Sequence, residues 1–528
     1  MKRAAFLIPV LLATWCSALG AKTIDLDSAT IADINAAFEA GTLTAESLVQ
    51  LCLTRIRSYD REGPALHAVT VLNPKAIETA RELDAERKAR GPRSALHGIP
   101  VVLKDNYNTA DLPTTGGSVL LEGSIPPADA FVVKKLRDAG AIILAKMNMS
   151  EFASPPSQSS LGGQSLNPHD LRRTPAGSSG GTGVAIAAAY APLGMGTDTG
   201  GSIRGPSTAN GIVGLKPTHG LLSRSGIIPL SLTFDTGGPM ARSVYDVAVA
   251  LGAMTGIDPA DAATRKSEGR FSIDYTKDMK ADALKGARIG IARDFLGADP
   301  DVDWVIAASL DAMRKSGATV VDVRFPKWLL DSKLEFYNAI RMPEFSAQIK
   351  DYLSTIGPNY PKTIEELIDR SNRFTAPRAD GARPNPGRWA LFKREASSGS
   401  LEDYRYTSVR DYGLPLVRAT VEGLFAAEKL DAIVYPTSTR RPALLAAPPD
   451  NAPASPSATN IANLTGFPDL IVPAGFTGDN LPVGISFFGL AFSEQRLLSL
   501  GYSFEQATRA RRRPIHTPAL EGESISVP

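Results

Sequence analysis

Between residues 28 and 60, apolar positions recur at helical spacing. Ile31, Ile34 and Phe38 share one face, and Gly41 interrupts the pattern. Thr44 then stands where an N-cap is needed, ahead of Leu48, Leu51 and Ile56. Two helices are predicted there, and a third, charged one runs from behind Asn73-Pro74 through about Ala89. The period then changes. Ile99-Pro100-Val101-Val102-Leu103 is a short continuous apolar run, the mark of a buried strand, and Lys104-Asp105-Asn106 follows it directly. Val132, Val133 and Leu136 mark a helix face, Gly140 ends it, and residues 141–145 read as the next strand. Residues 154–183, rich in Ser, Gly and Pro, read as a long loop, a common seat of function inside a compact domain. An alanine-rich helix is predicted over 185–191 and a strand over 193–197. Further buried strands are predicted at 430–435, 470–473 and 483–488. From about 266 to 430 the chain is more polar and reads as helical. This alternation predicts an α/β fold, a central sheet covered by helices.

The first residues follow a different pattern. Lys2 and Arg3 precede an apolar stretch from Ala4 to Ala18, and Ala18-Leu19-Gly20 offers small residues at the positions a signal peptidase reads. Residues 1–20 are therefore expected to be a secretory signal peptide, too short for a convincing membrane span, leaving 21–528 as the working chain. The expected location is the periplasm or the medium, with no stable membrane insertion after cleavage. Of the two cysteines, cleavage removes Cys16. Cys52 sits in a helical apolar pattern and reads as a small buried hydrophobe rather than a nucleophile.

Composition narrows the chemistry. The 528 residues are 43% hydrophobic and 21% charged, a soluble globular profile. A net charge of +2 builds no field for nucleic acid. The basic run Arg509, Arg511, Arg512 and Arg513 reads as a solvated helix end. The histidines His67, His97, His169, His219 and His516 show no ligand spacing, and no cysteine cluster exists, so no metal and no cofactor is expected. Gly177-Ser178-Ser179-Gly180-Gly181-Thr182-Gly183 is glycine-rich but lacks the Gly-Lys-Ser/Thr ending of a phosphate loop. Gly177, Ser179 and Gly181 match the nucleophile elbow of α/β hydrolases. That elbow needs a strand before it and an acid and then a histidine after it. Here a Pro- and Gly-rich loop precedes, and the only later histidines are His219 and His516, the second read as lying beyond the last strand.

What remains is a lysine at a strand end, a serine in a glycine loop and a second serine after a glycine pair. GIPVVLKDN, PAGSSGGTGVAIAAA and GMGTDTGGSIRGPSTANGIVGLKPT resemble the three blocks of the amidase signature family, and FDTGGPMARSVYDVA and LTGFPDLIVPAG resemble its later blocks. The similarity runs from about residue 28 to 514 and is weakest between about 266 and 430. It implies a single α/β domain with a mixed central sheet and helices on both faces. Its core blocks would lie at about 95–265 and 431–514, with a variable helical region at about 266–430. It implies hydrolysis of carboxamide C–N bonds through an acyl-enzyme. Ser202 matches the nucleophile, Lys104 the base, and Ser178 the bridging serine that follows a cis peptide bond. The backbone amides of Thr199, Gly200, Gly201 and Ser202 match the oxyanion hole. The family pattern also puts 147–152 and 233–236 at the pocket, with Met149, Ser150 and Asp235 as substrate-binding candidates and Asp198 and Arg204 as scaffold. Tyr404 and Tyr406 of the variable region are further candidates for shaping substrate choice.

The chemistry explains why those residue types are needed. A serine attacks an amide only if its proton is removed as it attacks. A lysine with the ordinary pKa of about 10.4 is an ammonium at neutral pH, and bringing it to roughly 7–8 takes about 4 kcal/mol. Burial at the end of the apolar run Val101, Val102, Leu103 can supply that. Asp105 would oppose the shift if it faced Lys104, so its side chain is expected to point away. Ser202 is expected to open a short helix whose N-terminal dipole favours the oxyanion. The expected partner is a small-molecule or peptide amide, with C-terminal peptide amides the leading class. Small aliphatic or aryl amides and the glutaminase role in a tRNA-dependent amidotransferase are the alternatives. Oligomeric state is left open.

Overall fold

The computed structural model describes residues 22–446 and 457–527. Local signals set the first helices. Thr30 caps α1 (Ile31–Glu39) and Thr44 caps α2 (Ala45–Ile56), each in a reciprocal capping box. α3 (Ala76–Arg90) follows. Ahead of α1 lies the strand β1 (Lys22–Asp25), and β2 (Val69–Leu72) precedes α3. The apolar run before Lys104 forms β3 (Pro100–Lys104), buried along its whole length. α4 (Phe131–Asp138) buries Val132, Val133 and Leu136 and leads into β4 (Ile142–Met147).

The next segment carries the glycine-rich blocks. It runs α5 (Gly180–Ala187), β5 (Leu193–Asp198), α6 (Arg204–Ala209), β6 (Val213–Lys216), β7 (Thr236–Ala241) and α7 (Val244–Met254). The more polar region holds β8 (Arg288–Ala292), α8 (Pro300–Lys315), β9 (Thr319–Val323) and the 28-residue α9 (Lys327–Ser354). It continues through α10 (Ile364–Arg373), α11 (Pro386–Ala396), α12 (Tyr404–Ser408) and α13 (Leu414–Glu428). The chain closes with β10 (Ala432–Pro436), α14 (Thr459–Thr465), β11 (Asp469–Phe476), β12 (Pro482–Phe488), α15 (Glu494–Thr508) and β13 (Ser524–Val527).

Among the described residues, eleven strands form one mixed sheet in the order β2-β4-β3-β5-β7-β6-β11-β12-β10-β8-β9. β4, β3 and β5 are parallel, as are β10, β8 and β9, with antiparallel strands between the two groups. Both faces are buried. Along β10, Ala432 and Val434 join one apolar cluster while Ile433 and Tyr435 join another, as alternation along a strand requires. α8 and α15 supply the first cluster, and α9, α13 and α14 the second. A third cluster joins Met149 and Phe152 to Phe345, Trp389 and Phe392 from α9 and α11.

The structure corrects several expectations. The alanine-rich helix starts at Gly180, not Ala185, and ends at Ala187. Its glycines are poor helix formers, but a Cβ at Gly181 would lie 2.3 Å from the Asn148 carbonyl oxygen, so close packing overrides propensity. The region at 266–430 is not wholly helical, because β8 and β9 extend the sheet at one edge. The basic run near the C-terminus is a solvated helix end only in part: Arg509, the C-cap of α15, and Arg512 are exposed. Arg511 pairs with Asp27, and Arg513 pairs with Asp25 and Asp27. β13, which follows His516, pairs with β1 and ties the two ends of the described chain together. The expected signal peptide, 1–20, lies outside the described residues.

Candidate active site

The site sits where parallel β3 and β5 end side by side. Pairing of Leu103 with Met195 brings Lys104 at the end of β3 next to Thr197 and Asp198 at the end of β5. β7 enters at the same edge, with Thr236 opposite Asp198. Lys104 is fully buried, and its Nζ donates to Ser178 Oγ at 2.7 Å, Thr197 Oγ1 at 2.7 Å and the Thr197 carbonyl at 3.3 Å. Burial lowers its pKa to about 7, and the charges of Asp198 and Asp235 resist that shift only in part. The same geometry serves both protonation states: the ammonium donates to all three oxygens, and the neutral amine donates to two and accepts from Ser178. Two N–H groups can stay on the two Thr197 oxygens while the nitrogen lone pair takes the Ser178 hydroxyl proton.

Asp105 is turned away from Lys104, as expected. Its carboxylate faces Lys146 at 3.4 Å and the Thr115 hydroxyl, neither of which bonds Lys104 Nζ. Asn106 instead turns inward, its Nδ2 donating to Thr197 Oγ1 at 3.0 Å.

The Gly177–Ser178 peptide is cis. The Ser178 carbonyl accepts from the Ser150 amide at 3.0 Å, and the Ser179 amide donates to the Ser202 carbonyl at 3.2 Å, so the two serine loops are joined through their backbones. Ser202 is half-buried and opens, with Ser178, onto a cleft of about 810 Å³. Ser202 does not open the helix. It lies in the turn before α6, which begins at Arg204 and has six residues.

That turn is held from below by Asp198, which accepts from the Gly201 amide at 2.8 Å, the Ile203 amide at 3.0 Å, Asn463 and Arg204. Burial alone would raise the Asp198 carboxyl, but the Arg204 guanidinium and Asn463 hold it well below the usual carboxylate range. Arg204 also pairs with Asp469 at 3.1 Å. The expected scaffold role of Asp198 and Arg204 is thus visible as a fully buried network. The same geometry revises the oxyanion group. The Gly201 amide is already engaged by Asp198, whereas those of Thr199, Gly200 and Ser202 have no acceptor among the described residues. Gly201 adopts φ +119°, and a Cβ there would meet Thr459 at 3.0 Å, which fixes glycine at this position.

The three substrate-binding candidates fall in different places. Ser150 lines the cleft. Met149 is turned into the third apolar cluster instead, as its thioether belongs among Phe152 and Leu120. Asp235 lies behind the oxyanion loop and accepts from the Thr199 hydroxyl at 2.5 Å and from the Leu230 and Ser231 amides. Burial raises its pKa to about 6, opposed by those hydrogen bonds. Tyr406 is buried and donates to Glu344, while Tyr404 points to solvent.

The alternative readings find no support in the packing. Ser179, the elbow candidate, is buried and donates to the Thr197 carbonyl. No histidine lines the cleft. His219 is buried against Arg224 and the Leu232 carbonyl, and burial lowers its pKa to about 3. Burial likewise pushes the Cys52 thiol up to about 12, which leaves it unreactive.

Sequence reasoning missed one whole wall. Leu334, Tyr337, Asn338, Arg341 and Met342 of α9 line the cleft. Tyr337 stacks on Phe234 at 5.3 Å and lies over the oxyanion loop, where a Cβ at Gly200 would be 2.8 Å from its hydroxyl. The signal was present as spacing i, i+3, i+4, i+7, i+8, but no motif marked that stripe as functional.

Comparison with known proteins agrees with this geometry. A family model described as Amidase matches residues 47–498. The structure of a native peptide amidase from Stenotrophomonas maltophilia superposes with a TM-score of 0.84 at 37% identity, covering 93% of this chain and 99% of that one. A glutamyl-tRNA(Gln) amidotransferase subunit of Thermoanaerobacter pseudethanolicus is 34% identical over 500 residues, 93% of this chain and 99% of its own. A probable amidase of Arabidopsis thaliana is 34% identical over 507 residues, 93% and 92% of the two chains.

Proposed function

Because the chain belongs to the amidase family and is a hydrolase of linear amide C–N bonds, we propose that it works through Ser202, Ser178 and Lys104. In this mechanism neutral Lys104 takes the Ser178 proton as Ser178 takes that of Ser202. Ser202 Oγ attacks the amide carbon, and the amides of Thr199, Gly200 and Ser202 are candidate donors to the developing oxyanion. The proton held at Lys104 then returns through Ser178 to the leaving nitrogen. The acyl-enzyme is released by water, activated through the same two groups. The observation that carries this reading is the buried Lys104–Ser178 hydrogen bond of 2.7 Å at the floor of the cleft that Ser202 lines.

C-terminal peptide amides are the proposed substrates. The volume of the cleft, about 810 Å³, and the likeness to a peptide amidase over nearly the whole of both chains support the choice. Ammonia release from amidated dipeptides tests it, with Lys104→Ala and Ser202→Ala alongside. Each substitution should lower kcat/KM by about a thousandfold or more, with the fold intact by circular dichroism. Retention of more than a tenth of the activity by Ser202→Ala would remove it as the nucleophile.

The N-terminal pattern supports export, with the protein working in the periplasm or outside the cell. Purified from a bacterial periplasm, the chain should begin near Ala21, and a protein that starts at Met1 in the cytoplasm contradicts export. The rival reading, a glutaminase role within a larger complex, draws on the likeness to the amidotransferase component from Thermoanaerobacter. Export disfavours it, since tRNA and ATP are cytoplasmic, and stable co-purification with partner proteins would restore it.

A further inference from the structure

The cleft above Ser202 has an unbalanced charge. Among the described residues no aspartate or glutamate lines it, whereas Arg341 and Arg394 do. Arg341 lies one helical turn from Tyr337, the side chain that covers the oxyanion loop, so its charge stands close to the reacting centre. Its partners do not neutralise it fully. Arg341 pairs with Glu395, but that one carboxylate also pairs with Arg388 at 2.8 Å, so two buried guanidiniums contact the same carboxylate, while Glu151 acts on Arg388. The other oxygen partner of Arg341 among the described residues is the hydroxyl of Ser154, at 2.6 Å, and its Nη1 meets only the Met342 sulfur.

The other nearby buried carboxylates are engaged elsewhere: Asp198 pairs with Arg204, and Asp235 takes the Thr199 hydroxyl and the Leu230 and Ser231 amides. Glu151 takes Ser118, Ser160, Asn385 and Trp389, and Glu344 takes Ser231, Thr233 and Tyr406. Arg394 is exposed at the cleft and has no ion pair among the described residues. A substrate entering this cleft therefore meets an excess of positive charge in a partly desolvated wall, where charge is screened less than in open water.

We propose that the cleft selects amides whose acyl part carries a carboxylate, and that Arg341 and Arg394 determine this preference. In peptide terms the favoured substrate is an amidated peptide with an acidic residue beside the residue that bears the amide. Substrates with an ammonium group there are disfavoured. This rests on the amidase reading above, and it adds the charge of the substrate to it. Arg341 acts from the buried wall through its uncompensated charge. Arg394 acts from the rim, where steering and salt sensitivity are largest.

The test compares N-acetyl-Glu-Leu-NH2, N-acetyl-Gln-Leu-NH2 and N-acetyl-Lys-Leu-NH2 with the full purified chain. The expected order of kcat/KM is Glu, then Gln, then Lys. The ends should differ by about tenfold or more in dilute buffer and by less at high salt. Arg394→Glu, at an exposed site that folding does not depend on, should reverse the order of the Glu and Lys compounds. Equal rates for all three compounds, or a preference that Arg394→Glu leaves untouched, overturns the charge inference while leaving amide hydrolysis standing. If none of the dipeptide amides is cut, the peptide reading fails, and adipamic acid against hexanamide decides the charge question in its place. A preference for the anionic compound upholds the inference, and equal or absent turnover of the two overturns it.

Discussion

Lys104 shows how much a single residue's surroundings decide. The same side chain on a surface would be an ammonium with no lone pair. Buried at the end of β3, it is brought to about 7. The direction matters for activity. Below that value the ammonium form dominates and cannot accept the Ser178 proton, so kcat/KM should rise with pH through about 7 and level off above it. The sequence made the lysine, both serines and the turned-away Asp105 legible, because their motifs and the apolar strand before Lys104 stand next to one another in the chain. It did not make Thr197 legible as the partner of Lys104, or Asn106 as a partner of Thr197. Thr197 is 93 positions away, and only the β3–β5 pairing brings it near. Nor did it reveal that Gly201 gives its amide to Asp198, a matter of backbone direction that residue types do not encode.

Among elements, those set by local chemistry were read well and those set by packing were not. The Thr44 cap of α2 and the apolar runs that open β3 and β4 appear in the sequence as they do in the fold, whereas the Thr30 cap of α1 was not read. The helix α5 was misplaced because its glycines look like loop residues. Their reason is the neighbour they touch. At Gly181 a Cβ would fall 2.3 Å from the Asn148 carbonyl and 2.7 Å from that of Ala68, both backbone atoms that cannot step aside. Gly181→Ala should therefore push α5 and the Ser178 loop off the sheet. The expected loss is about 1–3 kcal/mol of stability, seen in urea unfolding, with at least a hundredfold drop in kcat/KM. A variant as active and stable as the parent would show that α5 is not pinned there. The α9 wall escaped sequence reading for a different reason. Its apolar and polar residues alternate in a way that suits any surface helix, and only its position over the oxyanion loop gives it a role.

At the scale of the whole molecule, a wide sheet carries one edge where several strand ends meet. The parallel pair β3 and β5 supplies Lys104 and Thr197, β7 carries Asp235 in just ahead of it, and the variable region closes the cleft from above. The ends of the described chain are tied by β1, β13 and the pairs of Arg511 and Arg513 with Asp25 and Asp27. This clasp was invisible in the sequence because its two halves lie about 500 positions apart, as Lys22 and Val527 do. Ser202 and Ser178 line one cleft, and Ser178 is hydrogen-bonded to the buried Lys104, which is the arrangement the proposed proton relay needs. The most direct test is the rate at which a fluorophosphonate labels the intact protein between pH 5 and 10, with the labelled residue identified by mass spectrometry. The account predicts labelling at Ser202, a rate that rises with an apparent pKa of about 7, and loss of nearly all labelling in Lys104→Ala. Labelling at another serine, or a rate at Ser202 that is indifferent to pH and to Lys104, would contradict it.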